Sequence, residues 1–197
     1  MTDELFEVFF ATGNNHKVEE ANLTLSRFGI RAVLAPNCKK VEIQSDSLLE
    51  IAKYAASVAS DSQGAPVIVE DSGLFIEPLS GFPGPYSSYA YRTIGCKGIL
   101  NLLSGLVERR AFFDCVVAFC EPGSEPKVFD GKAYGEISQH QKGFGGFGFD
   151  PIFIPSGAQP RTFAQISKEE KATLSHRGAA FSRFAEWYEK SKMAKLK

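Results

Sequence analysis

The first 35 residues leave few folds open. "LFEVFF" (5–10) is an apolar run with no alternation, the pattern of a strand covered on both faces. A glycine-containing turn, "ATGNNHK" (11–17), follows at once. Val18, Ala21, Leu25 and Phe28 then recur at helical spacing, which predicts a helix from about Asn15 to Phe28 with Gly29 as its stop. "IRAVLA" (30–35) reads as a second strand, so the chain opens as a βαβ unit. The alternation continues with a helix around 47–60 and "PVIVEDSGL", a strand running into carboxylates. "GFPGPYSS" reads as a rigid loop, and a helix follows near 97–108. "AFFDCVVAFC" and "KVFDGKAYGEIS" read as antiparallel strands joined by "EPGSEPK". A glycine and aromatic loop, "GFGGFGFDPIFIPSG", leads to a final helix holding "FSRFAEWYEK". The expected class is α/β, or mixed α+β, with helices on the faces of the sheet. No repeat, low-complexity segment or long linker divides residues 1–197, so one unit is expected.

Composition narrows the function. The chain is 44% hydrophobic and 23% charged, like an ordinary soluble globule, and its net charge of -1 lacks the basic excess of a nucleic-acid binder. The acidic start "MTDELFEVFF" does not read as a signal peptide, and no apolar run reaches the length of a membrane span. Cys38, Cys96, Cys115 and Cys120 show no C-x-x-C spacing and suggest no disulfide framework, which fits a reducing cytoplasm.

Chemistry should come from polar residues placed where a fold alone does not want them. In "TGNNHK" a strand, a Gly turn and a helix start follow one another, the arrangement that aims backbone N–H groups and a partial positive charge at phosphate. Gly13 permits close approach, Asn14 is a candidate N-cap, and Lys17 in the first turn can reach an anion. The plainer reading is a capped helix with a solvated lysine. "VIVEDSG" places Glu70 and Asp71 at the end of a buried strand, where open α/β sheets hold their ligands, and side-chain alternation lets only one of them face the site. Hard carboxylates there, with Glu42 in "KKVEIQ" as a second, suit magnesium; otherwise they are surface acids or caps. In "GFGFDP", Phe147 and Phe149 alternate with glycines, which suits stacking on a base or a buried aromatic plug, and Asp150 could accept from a base edge. "SKEEKATLSHRGAAF" sets Lys168, Lys171, His176 and Arg177 near the start of the last helix, although Ser167 and Glu170 also match a capping box.

Together and in this order, "TGNNHK", "VEDSGL" with "GFPGPYS", "GFGFDPIF" and "KATLSHRGAAF" resemble the inosine triphosphate pyrophosphatase family, over about residues 8–185. These enzymes hydrolyse non-standard purine nucleoside triphosphates (ITP, dITP, XTP) to the monophosphate and pyrophosphate. The resemblance implies an elongated mixed sheet flanked by helices, in two lobes with a central cleft, and a homodimer. It implies that the turn Thr12, Gly13, Asn14, Asn15, His16 and Lys17 binds the triphosphate. Glu42 and Asp71 then belong to the Mg2+ and water-activating centre, with Asp71 catalytic and Ser72 beside it. Phe147, Gly148, Phe149 and Asp150, with His176 and Arg177, form the base pocket, and Lys171 touches phosphate. The chain departs from the pattern at Ala55, where relatives often carry lysine (Lys53 lies two residues earlier), and at Phe149, where they often carry Trp or Tyr. Two alternatives share many of these residues: a related pyrophosphatase with another base preference, and a non-catalytic nucleotide-binding module.

Overall fold

The computed structural model describes residues 5–36, 38 and 41–195. Strand β1 (Phe6–Phe10), helix α1 (Asn15–Leu25) and strand β2 (Ile30–Leu34) form the expected βαβ opening, with β1 and β2 parallel. Helix α1 ends three residues before Phe28, because Ser26–Phe28 tighten into a 3-10 turn before Gly29. Helix α2 (Leu48–Gln63), capped by the Ser47 side chain on the Glu50 N–H, leads to β3 (Val67–Ile76), parallel to β1. Strand β5 (Arg110–Cys120) runs antiparallel to β3, and β6 (Lys127–Ile137) antiparallel to β5, as two strands joined by "EPGSEPK" predict.

Four elements were not legible. The segment read as a rigid loop contains the short strand β4 (Pro83–Gly84) and helix α3 (Ser87–Thr93), which precedes α4 (Gly95–Leu102). Strand β7 (Phe153–Pro155) closes the sheet edge, giving the order β2-β1-β3-β5-β6-β7 with β4 on β3. The basic segment before the last helix is itself helical, α5 (Lys168–Leu174), and α6 (His176–Lys195), which holds "FSRFAEWYEK", begins at His176 with Arg177 in its first turn. Ser167 caps α5 through the Glu170 N–H, but the Glu170 carboxylate turns to Arg161, so only half of the capping box forms. No described helix is long and apolar enough to cross a membrane.

Alternation along β3 sorts the core. Ile68 on one face joins Val8, Phe10, Leu25, Cys115, Val117 and the α6 residues Phe181, Phe184, Ala185 and Tyr188. That α6 stripe has the i, i+3, i+4, i+7 spacing of a helix lying on a sheet, and each fully buried Phe in it contributes about 1.5–3 kcal/mol. Val67 and Val69 on the opposite face meet Leu48, Ala52, Ala55, Ala56 and Ala59, the small residues that let α2 lie close. A second core farther along the sheet gathers Leu74, Ile76, Ile99, Leu103, Phe113, Phe153 and Phe163. The three cores are arranged on one sheet, and a cavity of about 950 Å³ is lined by residues that follow β1, by the middle of β3 and by the glycine loop.

Candidate active site

Backbone need dictates the turn after β1. Thr12 Oγ1 accepts from the Asn14 N–H at 3.2 Å, and Asn14 Oδ1 accepts from the His16 N–H at 3.0 Å, so Asn14 is the N-cap of α1. Lys17, one turn in, extends Nζ to 2.6 Å from Glu70 Oε2. The turn therefore caps a helix, but Lys17 is not solvated: it pairs with Glu70, and both it and the turn line the cavity.

At the end of β3 the two acids part. Glu70 pairs across the ladder with Val117 of the α6-side core, and Asp71 with Val116 of the α2-side core. Asp71 lines the cavity with Ser72, Glu42 and Cys38, whereas Glu70 lies beneath it, fully buried. Arg177 donates through Nη2 to Glu70 Oε1 at 2.9 Å and to Ser72 Oγ at 3.2 Å, and through Nη1 to Glu20 Oε2 at 2.5 Å. Lys171 Nζ bridges Glu20 Oε1 at 2.6 Å and Asp150 Oδ2 at 2.5 Å. A chain of alternating charge, Lys17, Glu70, Arg177, Glu20, Lys171, Asp150, thus runs from the phosphate turn to the glycine loop. Burial opposes ionising Glu70, yet the charges of Arg177 and Lys17 outweigh it and hold its carboxyl well below the usual range. The same contest, with Arg177 and Lys171 prevailing over burial, lowers Glu20. Burial pushes Asp150 up despite Lys171.

Asp150 also shapes the glycine loop, since its Oδ2 accepts from the Phe147 N–H at 2.8 Å. Gly146 has φ +70°, and a Cβ there would run into the Asp150 carboxylate, so glycine is required. The two aromatic residues have different fates. Phe149 is buried in the second core, edge-on to Tyr91, as a plug. Phe147 is half-buried: His16 stacks on its ring with centroids 5.5 Å apart, and Lys171 Nζ and Arg177 Cζ stand 4.9 and 5.3 Å from its centroid. Cys96 supports the loop by donating to the Gly148 carbonyl at 3.5 Å, with burial pushing its thiol up to about 11.

The start of α6 presses against the sheet because β6 carries Gly131, where a Cβ would overlap the His176 carbonyl and the Ala180 amide. His176 is buried and stacked on Phe113 with centroids 4.6 Å apart. Burial first, and the Arg177 charge second, drive its imidazole well below the ordinary 6.5, so it is neutral. His176 Nδ1 and Arg177 Nε have no hydrogen-bond partner among the described residues. Unpaired buried groups of this kind cost about 1–3 kcal/mol each, and both residues line the cavity.

The cavity collects Thr12, Gly13, Asn14, His16, Lys17, Glu42, Asp71, Ser72, Phe147, Gly148, Phe149, Asp150, Lys171, His176 and Arg177. Asn15 is the predicted residue that does not line it. Lys171, expected at phosphate, lies in the charge chain on the glycine-loop side. Ala55 is fully buried against the sheet in α2, so the lysine of the family pattern has no counterpart at that place. Sequence reasoning missed Glu20, although it stands three residues after Lys17 and so on the same helix face. It also missed Phe113, on which His176 stacks.

Among the described residues no three His, Cys, Asp or Glu side chains gather as a metal cage. Glu42 and Asp71, two hard carboxylates in one cavity beside a phosphate turn, fit magnesium in its usual manner, held by one or two carboxylates and by substrate oxygens.

Known proteins share this arrangement of the chain. A dITP/XTP pyrophosphatase of Methanopyrus kandleri is 54% identical over 92% of this chain and 96% of that protein. One of Pyrococcus horikoshii is 46% identical over 92% and 96%. The solved structure of the Staphylococcus aureus Ham1 protein covers 94% of this chain and 99% of its own, with a TM-score of 0.80 at 32% identity. A HAM1 protein from Coxiella burnetii covers the same shares with a TM-score of 0.82 at 28% identity. The Ham1 family model matches residues 8–187, nearly the whole sheet and all the residues that line the cavity. The chain belongs to the Ham1 family.

Proposed function

We propose that this chain is a nucleoside-triphosphate pyrophosphatase that hydrolyses ITP, dITP and XTP to the monophosphate and pyrophosphate, clearing non-standard purines from the nucleotide pool. The observation that carries the reading is one cavity with a lysine-bearing helix N-terminus, a carboxylate pair, and buried unpaired nitrogens on His176 and Arg177. Relatives named for dITP and XTP hydrolysis, matched over nearly their whole length, support it.

In this reading Thr12 to Lys17 receive the triphosphate, and the α1 N-terminus with Lys17 holds its charge. Glu42 and Asp71 would hold magnesium, which would supply neutralisation of charge on the pyrophosphate leaving group. Asp71 activates the water that attacks the α-phosphorus, as general base or by orienting it. Phe147 offers the stacking ring, while Phe149 braces the loop from the core. Arg177 Nε donates to the carbonyl at purine position 6, where adenine presents an amino group and so leaves the donor unpaired. The neutral His176 supports that edge. The chain acts as a homodimer, and its free thiols accord with a cytoplasmic setting.

Chromatography of the first products from ITP tests the reaction. IMP with pyrophosphate is expected; IDP with phosphate would overturn the assignment.

A further inference from the structure

Glu70 shares one buried carboxylate between two cations that serve opposite ends of the substrate in the reading above, on which this inference rests. Its Oε2 is 2.6 Å from Lys17 Nζ, on the phosphate side, and its Oε1 accepts from Arg177 Nη2 at 2.9 Å, on the base side. Cys115 Sγ also donates to Oε1 at 3.4 Å. Glu70 does not itself line the cavity, whereas Lys17 and Arg177 do. It therefore acts on substrate through its neighbours, Lys17 and Arg177 among them, with Ser72 beside it also in the cavity wall. The side chain of Lys17 retains 17% exposure, so an arriving phosphate can compete for its ammonium, while Glu70 stays buried at 0%.

We infer that Glu70 is a positioning residue that makes triphosphate seating and base recognition cooperative. When phosphate draws Lys17 away, the Glu70 charge falls to Arg177. The guanidinium, which already donates through Nη2 to Glu70 and through Nη1 to Glu20, then no longer shares the Glu70 charge with Lys17 and is held more strongly. With both terminal nitrogens fixed, the Nε edge is held in one orientation before the base docks, and the ordering cost of base binding falls. The free protein, with Glu70 shared, holds Arg177 less firmly and recognises the base more weakly.

The test separates the substrate into its halves. Calorimetric titration in magnesium-free buffer measures the Kd of inosine with and without saturating tripolyphosphate. In the unaltered protein tripolyphosphate lowers the inosine Kd by about 5-fold or more, the lower end of ordinary coupling between sites. In Glu70→Gln the factor falls to about 1. Lys17→Met mimics departure of the ammonium: inosine binds it, without tripolyphosphate, as tightly as it binds the unaltered protein with tripolyphosphate. A lysine that only contacts phosphate would leave inosine affinity unchanged.

An inosine Kd indifferent to tripolyphosphate in the unaltered protein, coupling that persists in folded Glu70→Gln, or wild-type inosine affinity in Lys17→Met would each overturn the inference. Should Glu70→Gln not fold, Lys17→Met decides. Pyrophosphate release from ITP is measured alongside. Hydrolysis without coupling removes the inference alone, and no hydrolysis removes the functional reading beneath it.

Discussion

Arg177→Ala should damage the fold before it informs on specificity. Arg177 is 2% exposed and is ion-paired to two carboxylates, Glu70 on β3 and Glu20 on α1. Removing one partner of a buried pair costs about 3–5 kcal/mol, because the other charge stays buried and uncompensated. A domain of this kind has only about 5–15 kcal/mol in total. At about 2–4 °C per kcal/mol for chains of 150–250 residues, Tm should fall by roughly 6–20 °C. The loss should also depend on pH. In the unaltered protein both Glu20 and Glu70 ionise below the ordinary 4.5, so their stabilisation is present above that pH and is lost as pH falls through the depressed values. Without Arg177 the carboxyls ionise at higher pH, and the deficit shrinks as they are protonated. Urea unfolding of both proteins from pH 7.5 down to pH 4 measures it, with Arg177→Lys as the variant that keeps the charge. A deficit below about 1 kcal/mol at pH 7.5, or one constant with pH, would refute the claim that Arg177 neutralises this pair. Where the variant is folded, kcat/KM should drop far more for ITP than for ATP; an unchanged ratio would remove Arg177 from base selection.

Three further outcomes are expected. Asp71→Asn, nearly isosteric, should lower magnesium-dependent pyrophosphate release from ITP by about 10²–10⁴-fold with little change in Tm, and near-normal turnover would reduce Asp71 to a structural acid. Because the buried His176 stays neutral when folded while its unfolded form protonates below 6.5, stability should fall by about 1.4 kcal/mol per pH unit as pH drops below that value. His176→Gln should flatten that slope, and superimposable unfolding curves across pH 7.5 to 5 would contradict it. Gly131→Ala should destabilise by about 1–3 kcal/mol and weaken ITP turnover by pushing the start of α6 off the sheet; an unshifted urea midpoint would show that α6 yields freely.

What the sequence disclosed follows from how local each signal is. The βαβ opening, β3 and β5 were legible because they hold continuous apolar runs, and β6 because it follows β5 across the turn "EPGSEPK". The turn at 12–17 was legible for the same reason, since a cap and a first-turn lysine need only a few neighbouring residues. Helix α3 was hidden among Pro, Gly and Ser, which are loop signals, and β7 spans only three residues whose pairing comes from β6. The charge chain was invisible, because Glu20 meets Arg177 across 157 positions and Lys171 across 151. On α1 alone Glu20 is one more acid on a polar helix face. The fates of Phe147 and Phe149 likewise depend on Tyr91 and His16, which only the folded chain brings near.

The parting of Glu70 and Asp71 to opposite faces of β3 makes this stretch intolerant of a change in length. β3 is paired with β5 at every position from Val67 to Ile76. Because side chains alternate with a period of two, sliding the strand by one residue exchanges the faces of everything on it. Loss of a single residue between Val67 and Val69 would therefore leave the acidic pair intact in composition but inverted, with Asp71 facing Arg177 and Glu70 facing Glu42. The turn at 121–126, between β5 and β6 and away from the cavity, carries no such constraint, and it is there that insertions between relatives can accumulate.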